Sequence, residues 1–60
     1  MTYRFFFEII NGQKKYDDVQ ADTFREARNI FFERYSHLTY YKLDKVVEIS
    51  SKDYKVIYNA

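Results

Sequence analysis

Near the start of the chain, large apolar residues recur at every second position, and Phe6 and Ile10 add apolar residues on the other parity. The recurring residues are Tyr3, Phe5, Phe7 and Ile9. This spacing puts four side chains on one face of a β-strand. Asn11-Gly12 follows, and this dipeptide is a strong signal for a hairpin turn. We therefore predict a hairpin whose second strand runs from Lys14 to Ala21.

The length of the hairpin loop decides which side chains face one another. A two-residue loop pairs Phe7 with Tyr16 and Glu8 with Lys15. A three-residue loop with a glycine bulge gives other pairs: Phe6 with Tyr16, Glu8 with Lys14 and Arg4 with Asp18. We favour the three-residue loop because it creates one aromatic pair and two pairs of opposite charge.

The segment after the hairpin carries the signature of a helix start. Thr23 and Glu26 have the spacing of a capping box, in which each satisfies a free backbone N–H of the other. Apolar residues then recur at helical spacing and share one broad face: Phe24, Ala27, Ile30, Phe31, Tyr35 and Leu38. We predict a helix that begins at this cap and ends near Ser36 to Leu38.

The run Val19-x-Ala21-x-Thr23-x-x-Glu26-Ala27 is similar to the strand-to-helix junction of many small ββα modules, among them ribosomal proteins and phage-encoded accessory proteins. Helix capping alone accounts for this spacing. The resemblance therefore assigns neither a family nor any site residue.

Two further strands are predicted after the helix, at Lys42 to Ser50 and at Tyr54 to Tyr58. The element order is then ββαββ. If the helix returns the chain over the hairpin, the third strand lies antiparallel beside the first. We predict one α+β domain of residues 1–60, with a four-stranded antiparallel sheet in the order 2-1-3-4 and one helix packed on one face.

The third strand does not alternate cleanly. Leu43, Val47 and Ile49 share one parity, and Val46 has the other. Lys45 falls on the apolar parity, so we expect a β-bulge or an edge-exposed lysine stem there. On this pattern we predict six core residues: Phe5, Phe7, Phe24, Ala27, Phe31 and Val47.

Composition limits what holds such a domain together and what attracts it. The chain has no cysteine and one histidine, which leaves no disulfide framework and no zinc staple. Phe and Tyr make up 22% of the residues and supply the large apolar side chains of the core. The net charge of +1 gives no long-range field toward DNA or an anionic membrane. With neither a membrane span nor a signal-peptide pattern, we expect a soluble cytoplasmic protein.

The sequence shows no cluster that points to catalysis. His37 has acidic and hydroxyl neighbours, but a chain this small has little volume for a pocket with an oxyanion hole. Asp17-Asp18 and Asp22 lack the spacing of a calcium loop, and the single Gly12 excludes a glycine-rich phosphate loop. We predict no enzymatic activity, no cofactor and no metal.

Two surfaces carry apolar residues outside the predicted core. The open face of the sheet would hold Phe6, Ile10, Tyr16 and Val46, beside Arg4, Lys14 and Lys42. A stripe along the helix joins Arg25, Arg28 and Phe32, a mixture typical of partner-binding surfaces. Alternatively, Phe32 closes the edge of the core beneath the loop Thr39-Tyr40-Tyr41.

These surfaces suggest binding rather than chemistry. We predict a small accessory or inhibitory protein that binds a protein partner through an exposed aromatic surface, with homodimerisation as one form of that interaction. The edge strand Tyr54 to Tyr58 has no proline and is a candidate for pairing with another chain. The alternative is a single-stranded nucleic-acid or RNA-binding module that stacks bases on the open sheet face.

Overall fold

The computed structural model describes residues 1–37 and 41–60. Its elements are β1 (Thr2–Ile9), β2 (Lys14–Gln20), α1 (Phe24–Arg34), β3 (Tyr41–Ile49) and β4 (Tyr54–Asn59). The four strands form one antiparallel sheet in the order β2-β1-β3-β4. The predicted element order and strand order are both confirmed.

The β1–β2 hairpin has the three-residue loop. Phe6 lies opposite Tyr16, Glu8 opposite Lys14 and Arg4 opposite Asp18. The Ile9 N–H donates to the Gln13 carbonyl at 3.1 Å, and the Gly12 N–H donates to the Ile9 carbonyl at 2.8 Å. Gly12 has a φ of 85°, the left-handed conformation that the glycine bulge requires and that other residues adopt only with strain.

The Thr23 half of the predicted capping box starts α1. The Thr23 hydroxyl accepts a hydrogen bond from the Glu26 N–H at 3.2 Å, which satisfies one of the free donors of the first turn. Ala27 and Phe31 are the fully buried residues of the helix, and Phe24 packs beside them. Most of the face predicted from helical spacing packs on the sheet, but Ile30, which was predicted to belong to it, is 37% exposed.

The helix ends earlier than predicted, at Arg34, with Tyr35 as its C-cap. The Ser36 hydroxyl donates to the Glu33 carbonyl at 2.9 Å. Such a side-chain bond competes with the backbone bond that would extend the helix. Leu38, the last member of the predicted helical face, lies outside the described residues.

The core lies between α1 and the face of the sheet that it covers. Its buried residues are Tyr3, Phe5, Phe7, Val19, Ala27, Phe31 and Val46. The Phe31 ring stacks on the Phe5 ring with centroids 4.4 Å apart, and its other aromatic neighbours include Phe7 at 5.3 Å. Of the predicted core, Phe5, Phe7, Ala27 and Phe31 are confirmed. Phe24 is partly buried against them, and Val47 is fully buried but outside this cluster.

The predicted β-bulge is present in β3. Phe6 lies opposite Lys45, whereas the next residue, Phe7, lies opposite Leu43. Asp44 is therefore the extra residue on the β3 side. A bulge of this kind reverses which side chains of the strand face the core beyond it.

This reversal corrects the predicted faces of β3. Val46 is fully buried in the core, not on the open face where it was predicted. Val47 and Ile49 belong to the opposite face, because they pair with Arg4 and Thr2 of β1. The prediction that Leu43, Val47 and Ile49 share a face is wrong, since the extra residue lies between Leu43 and the other two.

Candidate functional site

The sheet has an outer face, defined here as the face opposite α1. The hairpin contributes Thr2, Arg4, Phe6, Glu8, Lys14, Tyr16, Asp18 and Gln20 to it. The strand pairs β1–β3 and β3–β4 add Lys42, Asp44, Lys45, Val47, Ile49, Tyr54 and Val56. In residues 1–37 and 41–60, the one helix packs on the other side of the sheet.

An aromatic pair occupies the hairpin half of the outer face. The Phe6 and Tyr16 ring centroids are 6.0 Å apart, as expected for direct cross-strand neighbours. The Arg4 guanidinium lies 4.7 Å from the Tyr16 centroid, and the Lys45 ammonium lies 4.9 Å from the Phe6 centroid. Both cations attract the ring faces that they cover. Tyr16 nevertheless remains 61% exposed.

Val47 is the apolar centre of the outer face. It is 0% exposed although the one helix of the described residues covers the other side of the sheet. Its cross-strand neighbours are Arg4 on one side and Val56 on the other, and β3 is a central strand. Neighbouring side chains of the sheet therefore shield Val47, which makes the outer face an ordered apolar layer. Tyr54 and Val56 extend it with exposed fractions of 59% and 48%.

The carboxylates of the outer face are paired with cations. Arg4 Nε and Nη2 donate to the two carboxylate oxygens of Asp18 at 2.8 and 3.0 Å. This bidentate contact lowers the pKa of the Asp18 carboxyl below its ordinary value. Lys14 Nζ lies 2.8 Å from Glu8 Oε1 and 3.2 Å from Asp44 Oδ2. Hydrogen bonds to these two carboxylates raise the pKa of the Lys14 ammonium.

Two cations of the outer face stand apart from these pairs. Within the described residues, Lys42 and Lys45 make no ion pair of 4.0 Å or less. Lys42 lies opposite Glu8 in register, but the Glu8 carboxylate contacts Lys14 instead. The unpaired charge of the outer face is thus positive and lies on β3.

The predicted site residues divide into three groups. Phe6 and Tyr16 come together on the outer face, and Ile10 is exposed at the hairpin turn beside it. Arg25, Arg28 and Phe32 are exposed on α1, across the sheet from Phe6. Val46 belongs to the core. The two predicted surfaces are therefore separate.

Phe32 is partly exposed, as its position beside the core face predicts. Its side chain is 42% exposed, and its ring centroid lies 6.1 Å from that of Phe31. The alternative role of Phe32, beneath the loop Thr39-Tyr40-Tyr41, involves Thr39 and Tyr40, which lie outside the described residues. The stripe on α1 thus offers one apolar ring, whereas the outer face offers a continuous layer.

Sequence reasoning missed the β3–β4 half of the outer face. Val47 and Ile49 were assigned to the core side, and Tyr54 and Val56 were considered only as edge-strand residues. The signal that could have placed them was Lys45, whose parity conflict already indicated a bulge. Locating the extra residue at Asp44 moves Val47 and Ile49 to the outer face.

A polar contact between the helix and the edge strand β2 was also not predicted from the sequence. Arg34 Nη1 lies 2.7 Å from Asp17 Oδ2, and the Tyr35 hydroxyl donates to the same oxygen at 2.9 Å. Burial and this hydrogen bond raise the pKa of the Tyr35 phenol. Asp17 and Asp18 therefore serve opposite faces of the sheet and do not form one acidic cluster.

The remaining candidates for chemistry are His37 and the acidic side chains. His37 is exposed, with its ring 6.4 Å from that of Tyr35. Residues 1–37 and 41–60 contain no group of three or more His, Cys, Asp or Glu side chains placed to hold a metal ion.

An open depression of about 370 Å³ lies on the helix beside Ile30, Glu33 and Arg34. No helix among the described residues is long and apolar enough to cross a membrane.

Comparison with protein-family models, with curated proteins and with solved structures gives no match for this chain.

Proposed function

We propose that this protein binds another protein through the outer face of its sheet and catalyses no reaction. It acts as a small accessory or inhibitory protein in the cytoplasm. The observation that carries the proposal is the ordered apolar layer of that face, in which Val47 is fully buried while Tyr16 stays 61% exposed. An aromatic ring held by its neighbours loses little conformational freedom on binding, which favours its use as an anchor.

The charges of the outer face favour a protein partner over a nucleic acid. Phosphate binding draws its affinity from cations that exchange counterions for phosphates. Here Arg4 is paired with Asp18, and Lys14 is paired with Glu8 and Asp44. The phosphates of a nucleic acid would have to displace these carboxylates or lie close to their negative charge, and both cost free energy.

The outer face also predicts the character of the partner's surface. The centre of that surface should be apolar, so that it covers the exposed side chains of Tyr16 and Val56. Its rim should carry carboxylates, because Lys42 and Lys45 are the cations of the outer face that make no ion pair within the described residues. Rim charges of this kind speed association and help select the partner more than they add affinity.

One observation favours the second candidate, a single-stranded nucleic-acid or RNA-binding module. Phe6 and Tyr16 lie side by side on an antiparallel sheet, each with a cation over its ring. Aromatic side chains on open sheets stack unpaired bases in several RNA-binding folds. This function predicts binding that falls steeply with added salt.

Affinity capture with and without nuclease separates the two functions. The tagged protein is incubated with a lysate of its native cells, and bound proteins are identified by mass spectrometry. The proposal predicts a bound protein that survives nuclease treatment and is lost with the Tyr16→Ser variant. Phe32→Ser is the matched control, because it removes a partly exposed aromatic side chain on the other side of the molecule.

Two results would reject the proposal. Capture that disappears after nuclease treatment would support nucleic-acid binding. Capture lost with Phe32→Ser and kept with Tyr16→Ser would assign binding to the helix. Both variants must melt near the wild-type temperature for either comparison to count.

A further inference from the structure

The strand β4 forms one edge of the sheet. Its register with β3 determines which of its backbone N–H and C=O groups point away from β3. The Ser50 N–H donates to the Asp53 carbonyl at 2.9 Å, which marks a hydrogen-bonded pair. Such pairs alternate along antiparallel strands with pairs whose backbone groups point away from each other. Because Ile49 lies opposite Tyr54 and Val47 opposite Val56, Tyr54 and Val56 direct their N–H and C=O groups outward.

The two edges of the sheet differ in how well they resist pairing. The edge strand β2 carries four charged residues, Lys14, Lys15, Asp17 and Asp18. Three of them make ion pairs. Charged side chains are a common protection of edge strands. β4 contains one charged residue, Lys55, among Tyr54, Val56, Ile57 and Tyr58. The β4 edge is therefore the open one, and two β4 edges can pair around a two-fold axis.

The charges of β4 and the register shift in its pairing with β3 select one register for the pairing of two β4 edges. In an antiparallel pair with two-fold symmetry, one residue of each copy lies on the axis. In the part of β4 before the shift, this residue is Tyr54, Lys55 or Val56. With Lys55 on the axis, two like charges meet directly. With Val56 on the axis, Tyr54 would face Tyr58, but the register shift between Val46 and Val47 puts an extra residue before Tyr58 and interrupts the ladder.

We infer that two copies of this chain pair antiparallel through β4, with Tyr54 opposite the same residue of the second copy. Each Asp53 then lies opposite Lys55 of the other copy, which creates two pairs of opposite charge. Within the described residues neither Asp53 nor Lys55 makes an ion pair in the single chain. Tyr54 exchanges two backbone hydrogen bonds across the axis, and the sheet continues through eight strands.

Edge pairing joins the two outer faces into one surface, because Tyr54 and Val56 belong both to the edge and to that face. The inference itself does not depend on the proposed function. A dimer can form whether or not the outer face binds a second protein.

Disulfide trapping tests the register directly, because the chain has no cysteine of its own. The variants Tyr54→Cys, Lys55→Cys and Val56→Cys each place one thiol on one of the three possible axes. Directly opposite residues in a hydrogen-bonded pair have Cα atoms about 5.5 Å apart, within the range that a disulfide spans. Under mild oxidation, Tyr54→Cys should form the covalent dimer fastest. Equal or faster trapping of Lys55→Cys or Val56→Cys would overturn the register.

Exchange of charges tests the pairing without covalent bonds. Asp53→Lys and Lys55→Asp each replace the two opposite-charge pairs by like-charge pairs, so each variant alone should dimerise roughly tenfold more weakly. An equal mixture of the two should recover the dimer, because every pair between the two copies again joins opposite charges. Sedimentation equilibrium measures all three samples, with Lys15→Asp on the other edge as control.

Two results would overturn the inference, and a control separates loss of association from loss of folding. A wild-type chain that stays monomeric at every concentration tested overturns the inference, as does a mixture that dimerises no better than its components. Melting temperatures of Asp53→Lys and Lys55→Asp near that of the wild type show that the comparison concerns association.

Discussion

Phe31 is the residue at which α1 and the sheet meet most closely. Its ring lies 4.4 Å from Phe5, 4.8 Å from Tyr35, 5.3 Å from Phe7 and 5.7 Å from Tyr41, measured between centroids. Three of these neighbours belong to two different strands of the sheet. Removing this ring leaves a cavity that rigid aromatic neighbours fill poorly.

We predict that Phe31→Ala lowers the free energy of unfolding by roughly 3–5 kcal/mol. The next residue provides the control, since Phe32 is 42% exposed and Phe32→Ala should cost less than about 1 kcal/mol. Denaturant unfolding followed by circular dichroism measures both. Similar losses for the two variants would mean that Phe32 is as much a part of the core as Phe31.

Tyr35 makes the stability sensitive to alkaline pH. Burial and the hydrogen bond to Asp17 raise the pKa of its phenol above the ordinary value of 10.0. The contribution to stability is fully present below that value and is lost as pH rises through the pKa of the folded state, because the unfolded chain releases its proton first.

We predict that Tyr35→Phe flattens the decline in unfolding free energy above pH 10.0. Part of the decline should remain, since burial also raises the pKa of Tyr3. Denaturant unfolding at a series of pH values on both sides of 10.0 gives the slope. An unchanged slope in the variant would show that Tyr35 does not contribute to it.

At the scale of the elements, the hairpin loop depends on one backbone conformation. A Cβ added at Gly12 meets no atom within 4 Å, so the effect of a substitution there comes from its φ of +85° alone. We predict that Gly12→Ala costs about 1–2 kcal/mol of unfolding free energy. Gly12→Asn should cost less, because asparagine tolerates this conformation. Equal costs in denaturant unfolding would indicate that the loop adopts another turn type.

The elements differ in how far the sequence determines them. The hairpin register could be predicted because only one loop length brings Phe6 to Tyr16 and Arg4 to Asp18 together. The start of α1 could be predicted because the hydrogen bond from the Glu26 N–H to the Thr23 hydroxyl lies within one helical turn. Its end could not, since Ser36 bonds back to the Glu33 carbonyl at the point where Tyr35 meets Asp17.

The faces of β3 show why an irregularity is harder to place than to detect. The parity of Lys45 reveals a conflict, but several positions of the extra residue would relieve it. The structure puts it at Asp44, whose carboxylate is 3.2 Å from Lys14. A local pattern cannot select this position, because the contact joins residues of different strands. Val46 and Val47 were exchanged in the prediction for that reason.

At the scale of the whole molecule, the two sides of the sheet have different roles. The side under α1 holds the aromatic core, and the outer face holds a second apolar layer around Val47. The aromatic half of that layer could be predicted from Phe6 and Tyr16. Its β3–β4 half depends on the bulge, and the charge pairs on which we base the proposal of a protein partner depend on side-chain positions in three strands.

The central claim is that the outer face binds a protein, and the affinity of a captured partner for outer-face variants tests it most directly. The purified partner is titrated calorimetrically with wild type, Tyr16→Ser and Phe32→Ser, each at low and at high salt. We predict that Tyr16→Ser weakens binding by about 2 kcal/mol or more, that Phe32→Ser leaves it unchanged, and that salt has little effect. Wild-type affinity in Tyr16→Ser, or affinity that collapses with salt, would contradict the claim.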